Sequence, residues 1–517
     1  MRKSFLIITF ACLVFSFSCR RKNTEYVTIA LSEPFSSFNT LTSDKSDAAA
    51  ERVRSLMFNS LVRKNEKFEY VGELAKEIKP AEDGKVITFV LRDNVKFHNG
   101  KEFTSADVKY TFDTLLNSDK AFKASSFAET VGDKKVQHIV SIETPDAKTV
   151  VFTLNRASLQ NQLLSNLVAV PIIPEGSIEH QNNQPIGSGA FKFVSFDSSQ
   201  NIVELAANAD YWDGAPKVQK IRVKTVADAN SLQAELQSGG VDIAPLPTNL
   251  APDTIKALGG NSNLKIEQFN GSNIQYLQFN TQSSPLNSVK VRQAIAYAID
   301  REKIINELLL GQATVAHSIL PVDSWAYNAG IKYNFDPAKA KQLLQEAGYK
   351  GEPVKFKFAS GGAATSQYAQ VIQSSLAQIG INVEIEPLER NTFLKQLALG
   401  QYQMSTGIWV GGNQDPIFLN DLFTTKKIPG EKVSCCNRSR YSNADVDQLI
   451  DQAFNSTNRD QAKESYFKAQ EIISNEVPML PLWYPANMVV ANKRISNIKI
   501  GSSGDWSFMK DITADAK

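Results

Sequence analysis

The strongest constraint on this chain's fold is an alternation. From Ile274 onward, extended segments and amphipathic helices follow one another: strand IQYLQFN, a helix from about Val289, the unit DPAKAKQLLQEAGY, strand VKFKFAS, a helix over 366–379, strand INVEIEPL, a short helix, and strand MSTGIW. The unit DPAKAKQLLQEAGY carries its own punctuation. Asp336 is placed to cap free amides, Pro337 suits the first helical position, Leu343, Leu344 and Ala347 make one face, and Gly348 ends the helix. Helices at about 443–455 and 458–475 follow, and PMLPLWYPANMVVA returns as an extended segment. Strands that alternate with helices build a sheet covered by those helices.

The earlier part of the chain is richer in strands. Tyr26–Ala30 alternates like a buried strand and runs into the loop LSEPFSSFNT. Val53, Leu56, Met57 and Leu61 recur at helical spacing and predict a helix from Asp47 to Leu61, followed by a stretch that includes VITFVLRDNVKF. Thr104 and Asp107 form a capping-box variant ahead of Val108, Phe112, Leu115 and Leu116. Between about Gln184 and Phe269 come strands FKFVSF, IVELAA and IRVKTV and a helix ending at Ser238-Gly239-Gly240. The polar segment NGSN at 270–273 is the expected crossing between lobes. A chain of 517 residues is too long for one core, so an α/β protein of two lobes is expected.

Residues 1–19, MRKSFLIITFACLVFSFSC, have the plan of a secretory leader: two cations, an apolar run from Phe5 to Phe17, and small residues before a cysteine. That run is too short, at about 1.5 Å per residue, to span a bilayer core of about 30 Å. Two ends compete. Ser16-Phe17-Ser18 suits ordinary cleavage, whereas a leader running directly into Cys19 resembles a bacterial lipoprotein signal, although Ser16 stands where that signal normally has Leu. Lipidation of Cys19 is the favoured reading. Arg20, Arg21 and Lys22 would then add an electrostatic hold on anionic head groups.

Charge and motif content exclude several function classes. Two of the 56 basic residues, Arg2 and Lys3, lie in the leader, leaving 54 to balance 54 acidic ones. A neutral mature chain lacks the basic excess of a nucleic-acid binder. There is no GxSxG, GxxxxGK[ST], HExxH or CxxC, and His98, His138, His180 and His317 are scattered, so neither an enzyme nor a metal or cofactor protein is expected. Adjacent Cys435 and Cys436 could close a strained vicinal disulfide or stay unpaired in a loop; the strain favours the unpaired form.

Several segments, in order along residues 26–500, resemble one family. FVLRDNVKFHNGKEFTSADVKYTFD, QPIGSGAFKFVSF with NADYWDGAPKVQKI, YLQFNTQSSPLNSVKVRQAIAYAIDREKIINELLLGQA, and DPAKAKQLLQEAGY are similar to the signatures of the family-5 extracellular solute-binding proteins of ABC importers, which include dipeptide, oligopeptide and nickel binders. The resemblance implies an α/β, periplasmic-binding-protein-like type II fold: two lobes with an additional inserted subdomain. The expected division puts 26–45, 183–268 and 487–513 in lobe I, 46–182 in the insert, and 269–486 in lobe II, after a leader over 1–18 and a tether over 19–25.

Together with the leader and Cys19, it implies a lipid-anchored monomer on the periplasmic or cell-surface face of a bacterial membrane, delivering peptides to ABC permease and ATPase subunits. The alternatives are a non-peptide solute (oligosaccharide, opine-like compound or chelated metal) and a ligand-presenting accessory of a membrane sensor. The implied ligand-binding residues lie in cleft-facing loops: Glu33, Pro34, Phe35 and Ser36; Asn270 and Ser272; Trp409, Gly411, Gly412, Asn413 and Asp415; and Arg438. In peptide-binding relatives a carboxylate three positions after the Trp meets the ligand's ammonium group, and here that position is Gly412. Asp415 precedes Pro416 and is expected chiefly to cap a helix. His98 is expected to brace the turn before Gly100, and Gly187-Ser188-Gly189 to be a tight turn beside the cleft.

Overall fold

The computed structural model describes residues 26–45, 47–131, 134–362, 364–411, 414–430 and 436–516. The leader with Cys19, and Gly412, Asn413 and Cys435, lie outside these. Two large sheets carry the molecule. The first has seven strands in the order Phe191–Asp197, Ile202–Ala207, Lys220–Thr225, Val27–Leu31, Ile243–Pro245, Asn487–Asn492 and Leu264–Phe269. All five residues of its central strand, Val27–Leu31, are buried, and the strand runs parallel to both neighbours. That placement explains a near-continuous apolar run: Ile29 packs into one core, and Ala30 into another on the opposite face.

The second sheet has six strands, ordered Ala313–Val315, Met479–Pro485, Ile274–Phe279, Met404–Trp409, Val354–Ala359 and Val383–Leu388. Leu277 and Phe279 pack on one face, and Ile274 and Tyr276 on the other. Helices Val289–Ala298 and Pro337–Glu346 cover the former face, while Ala444–Asn455 and Arg459–Glu476 cover the latter. A third sheet, Ala75–Pro80, Val86–Leu91, Thr149–Leu154 and Ile139–Asp146, is antiparallel and shares the first sheet's core. The whole is the two-lobe α/β type II arrangement.

Local expectations are met where short-range chemistry decides them. The helix Pro337–Glu346 begins with Asp336 accepting from the Lys339 amide at 2.9 Å, and Gly348 follows it with a positive φ of 66°. The helix Ser105–Leu116 starts on the Thr104–Asp107 box, whose Asp107 is fully buried and also accepts from Lys101 Nζ at 2.6 Å and the Glu175 amide at 2.8 Å. The first helix is shorter than expected: it covers Ala48–Met57, and Phe58 is extended. Leu61 fits the helical spacing only by coincidence. It is fully buried beyond the helix end, and its carbonyl accepts from the Glu73 and Ala75 amides.

The chain passes between the two large sheets twice. It leaves the first after Phe269 and enters the second at Ile274, so NGSN is a crossing; it returns between Pro485 and Asn487, with Ala486 alone between the strands. The two crossings touch. A Cβ placed on Gly271 would lie 1.9 Å from the Pro485 carbonyl oxygen. Buried Asn487 fastens the place, its amide donating to the carbonyls of Asn270 (3.2 Å), Gly501 (3.0 Å) and Ser502 (3.2 Å). In two-lobed proteins, closure is absorbed by a few loop residues in short crossings of this kind.

Candidate functional site

Two of the three loops expected to face the ligand leave the carboxyl ends of central strands, one in each large sheet. In open α/β sheets that is where ligands bind. The loop 32–38 follows Val27–Leu31. Glu33, Pro34 and Ser36 are exposed, but Phe35 is 5% exposed and packs on Phe38 and Phe196 at 4.7 and 5.4 Å between ring centroids. Phe35 thus anchors the loop, leaving its neighbours to present polar and backbone groups. The Ser36 hydroxyl donates to Asp47, the N-cap of the first helix.

The second loop follows Met404–Trp409. Trp409 is half-buried, stacked on Tyr276 (6.3 Å, 20°) and edge-on to Phe418 (4.9 Å, 81°). Its indole N–H is buried and has no hydrogen-bond partner among the described residues. Gly411 turns with a φ of 74°, and its amide donates to Asn273 Oδ1 at 3.2 Å. Gln414 Nε2 donates to Ser272 Oγ at 2.9 Å. The crossing segment and the Trp409 loop therefore form one assembly, with Ser272 buried and Asn270 exposed.

Asp415 is 8% exposed, and its Oδ1 accepts the Ile417 amide at 2.9 Å; this closes a local turn ahead of helix Phe418–Phe423, whose N-cap is Ile417, so the carboxylate is not the expected helix cap. Its other oxygen accepts from Tyr70 Oη, a residue 345 positions earlier. Lys64 Nζ reaches Gln414 Oε1 at 3.4 Å. Burial pushes the Asp415 carboxyl up and the Lys64 ammonium down, while each partner's charge opposes the shift in the other. Arg438 is half-buried with its Nε unpaired among the described residues, and its carbonyl accepts from Tyr402 Oη at 2.5 Å. Cys436 is disulfide-bonded, which corrects the expectation of an unpaired thiol; every other cysteine lies outside the described residues.

Two motifs have structural explanations. His98 Nδ1 accepts the Gly187 amide at 3.3 Å and its Nε2 meets the Gly189 carbonyl at 3.1 Å, so the imidazole ties its turn to the GSG loop. Burial holds that imidazole down at about 4, in the neutral form this pairing needs. Gly187 and Gly189 approach the Met57 backbone so closely that a Cβ would fall 2.0 Å from its oxygen and 2.4 Å from its carbonyl carbon, respectively. A small cavity of about 40 Å³ lies within the second lobe, lined by His317, Gln470 and Met479 among others, and shares no residue with either loop. Among the described residues, no three His, Cys, Asp or Glu side chains gather as a metal site, and no helix is long and apolar enough to cross a membrane.

With this geometry in view, comparison decides the family. The profile of bacterial extracellular solute-binding proteins, family 5, matches residues 69–430. The chain belongs to that family. Among relatives of this family-5 protein, "Heme-binding protein A" of Haemophilus influenzae is 29% identical over 479 residues, spanning 86% of this chain and 84% of that one. "Oligopeptide-binding protein AppA" of Bacillus subtilis is 29% identical over 485 residues, spanning 89% and 86%. Among solved structures, HbpA2 from Haemophilus parasuis superposes with a TM-score of 0.78 at 26% identity, covering 95% of this chain and 99% of its own. The substrate-binding protein CtaP from Listeria monocytogenes gives 0.82 at 23% identity over 95% and 99%, a likeness of fold.

Lys64 and Tyr70 escaped the sequence reading. Their hairpin carries no motif, and only the tertiary fold brings it to Asp415.

Proposed function

We propose that this family-5 protein is the substrate-binding component of an ABC importer and that its cargo is a peptide, bound between the loop after Val27–Leu31 and the loop after Met404–Trp409. The lobes are taken as 26–45, 183–268 and 487–513 against 269–486, with 46–182 inserted into the first. One observation carries the choice of a peptide. Strand Met404–Trp409 pairs with Ile274–Phe279 along its whole length, but with Val354–Ala359 only at Met404 and Ser405. Among the described residues, the outer edge from Thr406 onward is left without a strand partner, beside exposed Ile408 and Val410. An extended peptide can pair with such an edge and seat alternate side chains beside it. The relatives named as dipeptide, di/tripeptide and oligopeptide binders support the reading.

Position 412 favours a second reading, a non-peptide solute. The residue there is Gly, with no carboxylate for a peptide ammonium group, and one relative is named for heme. A thermal-shift screen separates the two. Peptides at a hundred times their Kd should stabilise the protein by about 2.7 kcal/mol, with N-acetylated peptides matching free amines. Stabilisation by heme or chelated metal and by no peptide would overturn the peptide reading.

Permease and ATPase subunits are the partners this role requires, and closure around ligand supplies the signal, since a ligand shifts the lobes only through its differential affinity for the closed state. We place the protein on a membrane through acylated Cys19. Cys19→Ala is expected to move it from the membrane to the soluble fraction, and unchanged membrane association would exclude the anchor.

A further inference from the structure

The hairpin formed by Val62–Lys64 and Tyr70–Gly72 projects from the inserted subdomain toward the second lobe. Its turn is braced internally: Asn65 Oδ1 accepts from the Lys67 and Glu69 amides, both at 2.9 Å. Lys64 and Tyr70 are directly opposed in its register, so both side chains leave one face. The Lys64 ammonium lies 5.8 Å from the centre of the Tyr70 ring, within cation–π range.

On the other side stands the Gln414-Asp415 corner. Tyr70 Oη donates to Asp415, and Lys64 Nζ donates to Gln414. Gln414 is itself bound to Ser272 on the crossing segment, and the Ser272 amide donates to the Ser502 carbonyl at 3.0 Å. A continuous chain of polar contacts thus runs from hinge to cleft corner to subdomain. Its central carboxylate already has the Ile417 amide on one oxygen and a phenol on the other. Further out, Arg459 and Glu69 pair at 3.2 Å, but both are substantially exposed and add little.

We propose that Lys64 and Tyr70 are positioning residues that latch the inserted subdomain to the second lobe, engaging Gln414 and Asp415 when the cleft shuts and thereby setting how tightly ligand is held. The proposal rests on the two-lobe binding reading above and gives Asp415 a role other than ligand contact. A buried carboxylate is costly without partners, so Tyr70 and Lys64 make closure favourable where it would otherwise strand Asp415. Opening exposes the same carboxylate to water, and the latch can release.

The test uses the full chain without added ligand, so it stands or falls separately from the transport reading. Lobe separation is read by small-angle X-ray scattering, and local opening by deuterium uptake in peptides covering 62–72 and 414–423. Tyr70→Phe removes only the donor, and a hydrogen bond to a charged group corresponds to about tenfold to a hundredfold in an equilibrium. The expected result is uptake faster by about that factor in both peptides, a larger radius of gyration, and an unchanged melting temperature; Lys64→Met should act in the same direction. Because Asp415 also holds the Ile417 amide, Asp415→Asn serves only in a double-mutant cycle with Tyr70→Phe, where the two effects on uptake should be strongly non-additive. Scattering and uptake identical to wild type in Tyr70→Phe and Lys64→Met, or strict additivity in the cycle, would overturn the latch.

Discussion

Asp242→Ala is expected to cost the protein about 3–5 kcal/mol of stability, the loss seen when one partner of a buried ion pair is removed. The Asp242 side chain is fully buried and Arg494 nearly so, with Arg494 Nη2 3.0 Å from Oδ2 and Nε donating to Oδ1 at 3.1 Å. Oδ2 also accepts the Thr28 amide at 2.9 Å. Arg494 in turn donates to the carbonyl of Asp515 at 3.0 Å. One carboxylate therefore ties the central strand of the first sheet to the segment after its late-arriving strand and to the chain's end. Alanine would leave a guanidinium in the interior without its charge partner and the Thr28 amide without an acceptor. Guanidinium denaturation checks the size, and a loss below about 1 kcal/mol would show that water or rearrangement replaces the pair. Asp242→Leu combined with Arg494→Met should recover much of the loss, since replacing both partners with apolar groups is often close to neutral.

The second large effect is expected at the hinge. Gly271→Ala puts a methyl group 1.9 Å from the Pro485 carbonyl oxygen, 3.1 Å from its carbon and 3.3 Å from Asn487 Oδ1. Two of those atoms are backbone, so no rotamer change relieves the overlap; the crossings must separate. Overpacking in well-packed cores costs about 1–3 kcal/mol where side chains can adjust, and the cost here should reach or exceed the upper end. Gly501→Ala is the matched control in the same region, where a Cβ meets only Ser503 Oγ at 3.9 Å. Melting curves should separate the two variants clearly, and equal curves would mean that the crossings part without cost. The scattering profile of the first variant should also differ from wild type, because parted crossings tilt one lobe against the other.

What could be read from the sequence was decided by short-range chemistry. Asp336-Pro337, the Thr104–Asp107 box and the glycines after helices act within a few residues, and each appears where expected. The NGSN crossing was legible because a polar, glycine-containing break separates two apolar runs. Leu61 misled because helical spacing continued past the point where the chain turns extended. Phe35 was legible as part of a loop but not as its anchor, since Phe193 and Phe196, which complete the aromatic cluster, come from a strand about 160 residues away. Lys64 and Tyr70 lay beyond reach for the same reason, only more so: their partners are 350 and 345 positions distant.

The placement of Asn487–Asn492 has a consequence for the order of assembly. That strand sits between Ile243–Pro245 and Leu264–Phe269, and all of the second sheet's strands come before it in the chain. The lobe whose first strand is synthesised earliest is therefore the last to be completed, holding an empty slot while its partner lobe, built from one uninterrupted stretch, can already pack. Pairings of such long sequence separation close slowly, because the loop entropy must be overcome first. For a polypeptide made from one end to the other, the binding cleft comes into being only when nearly the whole chain is available.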